Sequence, residues 1–122
     1  MKNSKIEASF ENRILSVKFL NGATIEDTDL QEIYEFGNQK ANGLSYGIIF
    51  EPEGEYNVTE DAIEYITDNP YNKNIIAKAY VVNTKEAEVK TRMHVLFDHP
   101  SLKPFTFKTL SEGKSWLSKQ IK

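Results

Sequence analysis

The sequence predicts an α/β domain in which a mixed five-stranded sheet is packed by four helices, in the order ββαβαβαβα. Three observations predict this fold: an opening pair of alternating segments, a later alternation of apolar runs with segments of helical periodicity, and two capping patterns. A strand–helix–strand succession gives parallel strands and right-handed crossovers, whereas the opening hairpin is antiparallel. The sheet is therefore expected to be mixed, and residues 1–122 are expected to form a single domain.

Each element is predicted from its apolar period and from the Asn, Gly and Pro residues that end it. Alternation at period two indicates a half-buried strand, a short run of apolar residues indicates a buried strand, and a period of 3.6 indicates a helix. The predicted elements are strands 5–10 and 14–20, a helix from Ile25 to Ala41, a strand at Tyr46–Phe50, a helix at Asn57–Asp68, a strand at Ile75–Val82, a helix at Glu86–Phe97, a strand at Phe105–Lys108 and a terminal helix after Thr109.

Two helix starts have the form of a capping box. Thr24 is followed three residues later by Asp27, and Thr109 is followed three residues later by Glu112. In such a pair the hydroxyl accepts a hydrogen bond from a free backbone N–H, and the acidic side chain reaches back to the cap. We therefore expect Thr24 and Thr109 to cap the first and last helices.

Composition and charge narrow the class of function. The chain has no cysteine, which excludes disulfide scaffolds and thiolate zinc sites. Residues 1–61 hold 5 basic and 12 acidic residues, a balance of −7, whereas residues 62–122 hold 10 and 6, a balance of +4. An acidic first half argues against a nucleic-acid partner, which needs a concentrated basic surface. No apolar run reaches the roughly 18–20 residues of a membrane span, and no secretion signal is recognisable, so the expected location is the cytoplasm.

Three segments carry a resemblance to a known family. Ala23–Asp27 opens a helix after the hairpin, Ile75–Val82 is a strand of small and β-branched residues, and Pro104–Phe107 leads into Glu112–Leu117. The last pair is similar to a phenylalanine strand followed by an "AxxWL" element, with Gly113 in place of the alanine. Across its whole length the chain resembles STAS domains and, more closely, the SpoIIAA-like proteins related to the CRAL-TRIO lipid carriers. The resemblance implies a bacterial, non-enzymatic regulatory domain that docks a protein partner.

The phosphorylated serine of some STAS proteins has no counterpart in this chain. The corresponding loop after Phe50 lacks the Asp-Ser pair, and its nearest hydroxyl to the helix start belongs to Thr59. Five carboxylates lie in the same stretch, and they would repel a phosphate. Thr59 is therefore interpreted as a helix cap or a residue of the first helical turn, and not as a phosphosite.

The same acidic stretch is the predicted contact surface for a partner. Residues 51–61 contain five carboxylates and no basic residue, and their spacing does not match an EF-hand calcium loop. We expect the contact to involve Glu53, Glu55, Tyr56 and Thr59. Catalytic, cofactor-binding and metal-binding residues are predicted to be absent, and no cofactor is expected. The chain is expected to be a monomer or a homodimer, because an open sheet edge permits pairing without requiring it.

Two alternative functions remain open at the level of sequence. The relation to CRAL-TRIO proteins implies a carrier of a small apolar molecule or lipid, which needs an apolar pocket. His94 and Asp98 are four residues apart and share a helix face, so they can bind one metal ion in a metal-dependent enzyme. No third ligand is evident beyond His99, which precedes Pro100 and falls outside the predicted helix.

Overall fold

A five-stranded mixed sheet forms the centre of the computed structural model, which describes residues 1–68, 74–82 and 105–121. The strands of this sheet are β1 (Ile6–Glu11), β2 (Ile14–Phe19), β4 (Tyr46–Pro52), β6 (Ile75–Val81) and β7 (Thr106–Phe107), and two short strands, β3 (Thr24–Ile25) and β5 (Asn57–Val58), form a second small sheet. The helices are α1 (Asp27–Ala41), α2 (Glu60–Asp68) and, after β7, α3 (Leu110–Gln120).

The strand order of the main sheet is β1-β2-β4-β6-β7. β1 and β2 are antiparallel, and every other neighbouring pair is parallel. The predicted mixed sheet of five strands is therefore confirmed. The helix predicted at Glu86–Phe97 lies outside the described residues.

The β1–β2 hairpin closes through a two-residue turn that is anchored to the neighbouring strand. Asn12 and Arg13 have φ values of 53° and 62°, the left-handed pair that matches the twist of a hairpin. The Arg13 guanidinium donates from Nε to the Ser45 carbonyl at 2.8 Å and from Nη2 to Ser45 Oγ at 2.7 Å. This side chain holds the turn against the start of β4.

The sheet has two unequal faces. The α1/α2 face is apolar along β1, β2 and β4, and the larger cluster of buried residues lies there. Its strand residues include Ile6, Ala8, Leu15, Val17, Phe19, Tyr46, Ile48 and Phe50. The α3 face is apolar over β4 and β6, where Leu117 packs on Ile49 and Ala79. On β1 and β2 the same face is mainly polar, and the exception is Ile14 of β2, which belongs to the cluster under α3. Residues alternate between faces along a strand, so the polar residues of these two strands fall on this face.

The start of α1 differs from the prediction. Thr24 and Ile25 do not open the helix; they form β3, which pairs in parallel with β5. The cap is Glu26, whose backbone N–H donates to Asp29 Oδ2 at 2.8 Å. The predicted cap at Thr24 is therefore wrong, because pairing with a segment more than thirty residues away in sequence extends this stretch as a strand.

The start of α2 differs for the same reason. Asn57 and Val58, predicted as the first helical residues, form β5, and the helix begins at Glu60. At α3 the predicted cap is confirmed: Thr109 Oγ1 accepts from the Glu112 N–H at 3.2 Å. Local patterns therefore located the cap that has no distant pairing partner and misplaced the two starts that do.

Candidate interaction surface

Two loops join at the carboxyl ends of β2 and β4. One loop leads from β2 to α1 and the other from β4 to α2, and the pairing of β3 with β5 connects them. Backbone hydrogen bonds continue on both sides of this pairing: Gly22 N to the Glu55 carbonyl at 2.6 Å, Asn57 N to the Ala23 carbonyl at 2.9 Å, Thr59 N to the Ile25 carbonyl at 3.0 Å and Glu53 N to the Phe19 carbonyl at 2.7 Å. The acidic stretch is thus fixed along its length to the rest of the fold.

The side chain of Asn21 fixes the tip of the acidic loop. Its Oδ1 accepts from the Glu55 N–H at 3.0 Å, while its own backbone N–H donates to Glu53 Oε1 at 3.4 Å. Gly54 lies directly against this amide, and a Cβ at that position would collide with Asn21 Oδ1. Glycine at position 54 therefore leaves room for the Asn21 amide, which any larger residue would have to displace.

Four exposed carboxylates project from this fixed stretch. We name Glu53, Glu55, Glu60 and Asp61 the acidic rim; all four residues are exposed. Within the described residues, none of the four has a Lys or Arg nitrogen within 4.0 Å. Glu60 and Asp61 also occupy the first turn of α2, where the helix dipole favours negative charge. Within the part of the chain that the structure describes, the rim is a negative surface without a paired cation.

The basic residue that lies beside α1 is committed to other carboxylates. Lys5 Nζ lies 3.0 Å from Asp29 Oδ2 and 3.2 Å from Glu26 Oε2. The hydrogen bond to Asp29 and, to a smaller extent, that to Glu26 raise the pKa of Lys5 above its ordinary value, against a lowering by partial burial. Asp29 is itself buried, so Lys5 neutralises a charge inside the fold and not one on the rim.

The structure separates the four predicted contact residues into two groups. Glu53 and Glu55 are exposed on the rim. Tyr56 is only 5% exposed, with its ring centroid 5.0 Å from that of Phe19, so its role is to pack the loop onto the core. Thr59 is half-buried, and its Oγ1 accepts from the Ala62 N–H at 3.1 Å, which is the cap role, one of the two roles that the sequence left open. The accessible contact surface therefore consists of carboxylates.

Sequence reasoning missed the role of Asn21 in organising this surface. From local sequence, Asn21-Gly22 indicates only a break at the end of a strand. The general signal was present, since Asn side chains commonly bond to loop backbone groups. The partner of Asn21, however, is Glu55, 34 residues along the chain, and local spacing does not reveal such a pair.

The remaining sequence predictions of chemistry fall outside this surface. Among the described residues no three His, Asp or Glu side chains are arranged to hold a metal ion. His94 and Asp98 lie outside the described residues, and a metal site there stays a prediction. The apolar-ligand carrier also stays a prediction. Of the helices in the described ranges, none combines the length and apolar character needed to cross a bilayer.

Comparison with known proteins supports the fold. Residues 8–121 match the model of a family described as a domain of unknown function, DUF7793. No curated protein matches the sequence. Among solved structures, the chain is similar to an uncharacterized protein of the DUF3478 family with a SpoIIAA-like fold, from Shewanella loihica PV-4. The TM-score is 0.64 at 14% identity, over 96% of this chain and 98% of that one. The fold is therefore SpoIIAA-like, as the resemblance in sequence implied.

Proposed function

The chain belongs to the DUF7793 family, and we propose that it acts as a non-enzymatic regulatory domain whose acidic rim docks a basic surface of a partner protein. The observation that carries this proposal is the combination of charge and rigidity at the rim. Four exposed carboxylates, which form no ion pair with a described residue, project from the loop after β4 and from the first turn of α2, and the backbone of that loop is hydrogen-bonded to the adjacent loop. A preorganised surface loses less conformational entropy when a partner binds than a flexible acidic loop would.

The chemistry of the rim favours a cationic partner. Carboxylates accept hydrogen bonds and pair with Arg or Lys side chains, and Arg can engage a carboxylate in a bidentate manner. A concentrated negative surface also steers a basic protein toward it and repels acidic ones. We therefore expect binding that weakens as the ionic strength rises.

Charge reversal at the tip of the loop tests the proposal. Affinity capture would use the full chain in three forms: the native sequence, the double variant Glu53→Lys/Glu55→Lys, and the control Glu32→Lys/Glu35→Lys on the exposed side of α1. The control makes the same change in net charge away from the rim. We expect a basic protein to be retained by the native chain and by the control.

The loop variant should lose that protein, with an affinity lower by about tenfold or more, since the interface charges are replaced by repulsive ones. The captured complex should also dissociate as salt is raised from low to high ionic strength. Equal retention by the loop variant and the control would contradict the proposal, and so would the absence of any specific protein partner.

A further inference from the structure

A polar groove lies on the part of the α3 face that α3 leaves uncovered. It has a volume of about 410 Å³, lies over the β1–β2 hairpin, and is bounded on one side by Leu110 and Lys114 of α3. A volume of this size is within the range of small-molecule sites. The groove lies on the opposite side of the sheet from the α1/α2 face. Ser9 and Ser16 alternate along their strands with residues that pack under α1, so their side chains point away from that helix.

Five polar side chains in this groove have no partner in the described part of the chain. The hydroxyls of Ser9 and Ser16, the ammonium groups of Lys18 and Lys114 and the carboxylate of Glu51 line it. None of them takes part in a side-chain hydrogen bond or ion pair with a described residue. All except Ser9 are half-buried, so much of their surroundings is protein and not bulk water.

The register of the sheet sets the order of charges across the groove. Lys18 is the partner of Glu7 on β1 and of Glu51 on β4, so a row of acid, base and acid crosses three strands. Glu7 is already paired with Lys2 at 3.3 Å. With three lysines and two glutamates in the lining, the side chains of the groove carry a net charge of +1. Within the described residues, the groups of the lining that have no partner are two ammonium groups, two hydroxyls and one carboxylate.

We propose that this groove binds a small organic anion that also carries hydroxyl or amino groups. Its carboxylate or phosphate is held by Lys18 and Lys114, since ammonium groups form charge-assisted hydrogen bonds with such oxygens. Its hydroxyl or amino groups donate to Glu51 and exchange hydrogen bonds with the two serines. A simple anion without donors fits less well, because Glu51 would repel it.

Titration of the isotope-labelled full chain with defined probes tests this site by NMR. Glucose 6-phosphate and L-glutamate each combine an anionic group with donors, whereas inorganic phosphate and glucose each supply one half of that chemistry. We expect saturable shifts of backbone amides around Ser9, Ser16 and Lys18 at probe concentrations up to about 10 mM, a range suited to dissociation constants near 1 mM. Inorganic phosphate and glucose should bind at least about tenfold more weakly.

Three single variants locate the binding. Lys18→Gln and Lys114→Gln should each weaken binding by about tenfold, because each removes a charge-assisted contact. Lys119→Gln, which changes an exposed lysine of the same helix that does not line the groove, should bind like the native chain. All three positions lie at the surface or half-buried, and retained spectral dispersion shows that each variant is folded.

The outcomes separate cleanly. Binding of only one probe supports the site and identifies the anionic group as phosphate or carboxylate. The proposal is overturned if neither probe gives saturable shifts, if inorganic phosphate alone binds as well as the two probes, or if Lys18→Gln and Lys114→Gln both retain native affinity. None of these outcomes depends on the acidic rim.

Discussion

The two faces of the central sheet differ in how far helices cover them. On the α1/α2 face, the inward residues of β1, β2 and β4 are uniformly apolar, and two helices cover them. On the α3 face, the helix packs on β4, β6 and β7 and reaches β2 at Ile14, and within the described residues the strand surface beyond it is polar. The second face therefore keeps part of its surface in contact with water, and this is where the polar groove lies.

This difference is encoded within single strands. In β2, Leu15 and Val17 point to the α1/α2 face, whereas Ser16 and Lys18 point to the other. Alternation alone predicts that one face of a strand is buried, but it does not say how far a helix extends over the opposite face. The contrast between faces can be tested by substitutions that compare neighbouring residues, helices and caps.

The largest expected effect comes from neighbours on opposite faces of β2. Leu15 is fully buried under α1, so Leu15→Ala should lower the free energy of unfolding by about 3 kcal/mol through lost burial and a residual cavity. Ser16→Ala, one residue along, should change it by less than about 0.5 kcal/mol. Urea denaturation of both variants makes the comparison. Similar losses in the two variants would show that the two faces are equally packed.

The next largest loss of stability is expected where a glycine lets a helix pack closely on the sheet. A Cβ at Gly37 of α1 would lie 2.8 Å from Leu15 Cδ2 and 2.9 Å from the Tyr46 hydroxyl oxygen. Gly37→Ala should therefore destabilise the protein by about 2 kcal/mol through overpacking, although alanine favours a helix by about 1 kcal/mol. At Gly113 of α3, the added Cβ would collide with Ile49 Cδ1, the flexible end of a side chain that can shift. The loss for Gly113→Ala should be smaller.

Thermal and urea unfolding of Gly37→Ala and Gly113→Ala would show which of the two helices packs more tightly against the sheet. Gln39→Ala, at an exposed position of α1, is the control for the gain in helix propensity and should be neutral or slightly stabilising. If Gly37→Ala were as stable as the control, α1 could not lie as close to β2 and β4 as the structure places it.

Titration of a buried phenol on the α1/α2 face provides a pH-dependent test. Burial raises the pKa of Tyr46 from 10.0 to about 12, and its hydroxyl donates to Asn38 Oδ1 at 2.8 Å. Between pH 10 and 12 the unfolded chain therefore loses this proton before the folded one, and stability must fall as the pH rises. At neutral pH, Tyr46→Phe should cost about 1.5 kcal/mol, because it leaves the Asn38 oxygen without its donor.

The difference in stability between the two proteins should narrow steadily as the pH rises above 10. The native chain loses the stability that the neutral phenol provides, while the phenylalanine variant has no proton to lose at this position. Urea denaturation at several pH values between about 8 and 11.5 would measure the difference in free energy of unfolding between the two proteins. A constant gap across this range would contradict the raised pKa.

Sequence was sufficient for the sheet and insufficient for the rim. The hairpin, the buried strand at Tyr46 and the cap at Thr109 depend on contacts between near neighbours or on burial, and both leave periodic traces. The joining of the two acidic-rim loops depends on pairing between Thr24 and Asn57 and between Ile25 and Val58. Two-residue strands have no period to detect, so no pattern in either segment indicates the partner.

The position of Tyr56 shows the same limit for the candidate site. An aromatic residue between acidic neighbours is predicted to be exposed, yet the loop turns inward at this point and its ring packs against Phe19. Glu53 and Glu55, which precede Tyr56, are exposed because backbone hydrogen bonds fix the path of the loop. Amino-acid composition does not indicate these hydrogen bonds. Two of the segments that resemble the SpoIIAA-like proteins are in contact: Trp116 stacks on Phe105 with 4.3 Å between ring centroids and lies 5.7 Å from the Phe107 centroid.

The smallest expected effect separates a solvated cap on the α3 face from the buried contacts opposite. Thr109 is exposed, and its hydroxyl accepts one backbone hydrogen bond at the start of α3, so Thr109→Ala should cost about 1 kcal/mol or less. Ser111→Ala, in the same exposed turn, is the matched control and should be neutral, since Ser111 makes no capping bond. Among the described residues, α3 is the helix that packs on this face, so loss of the cap should also increase amide exchange in Gly113 to Leu117 before the α1/α2 face responds. Uniform exchange across both faces would show instead that the two layers unfold as one unit.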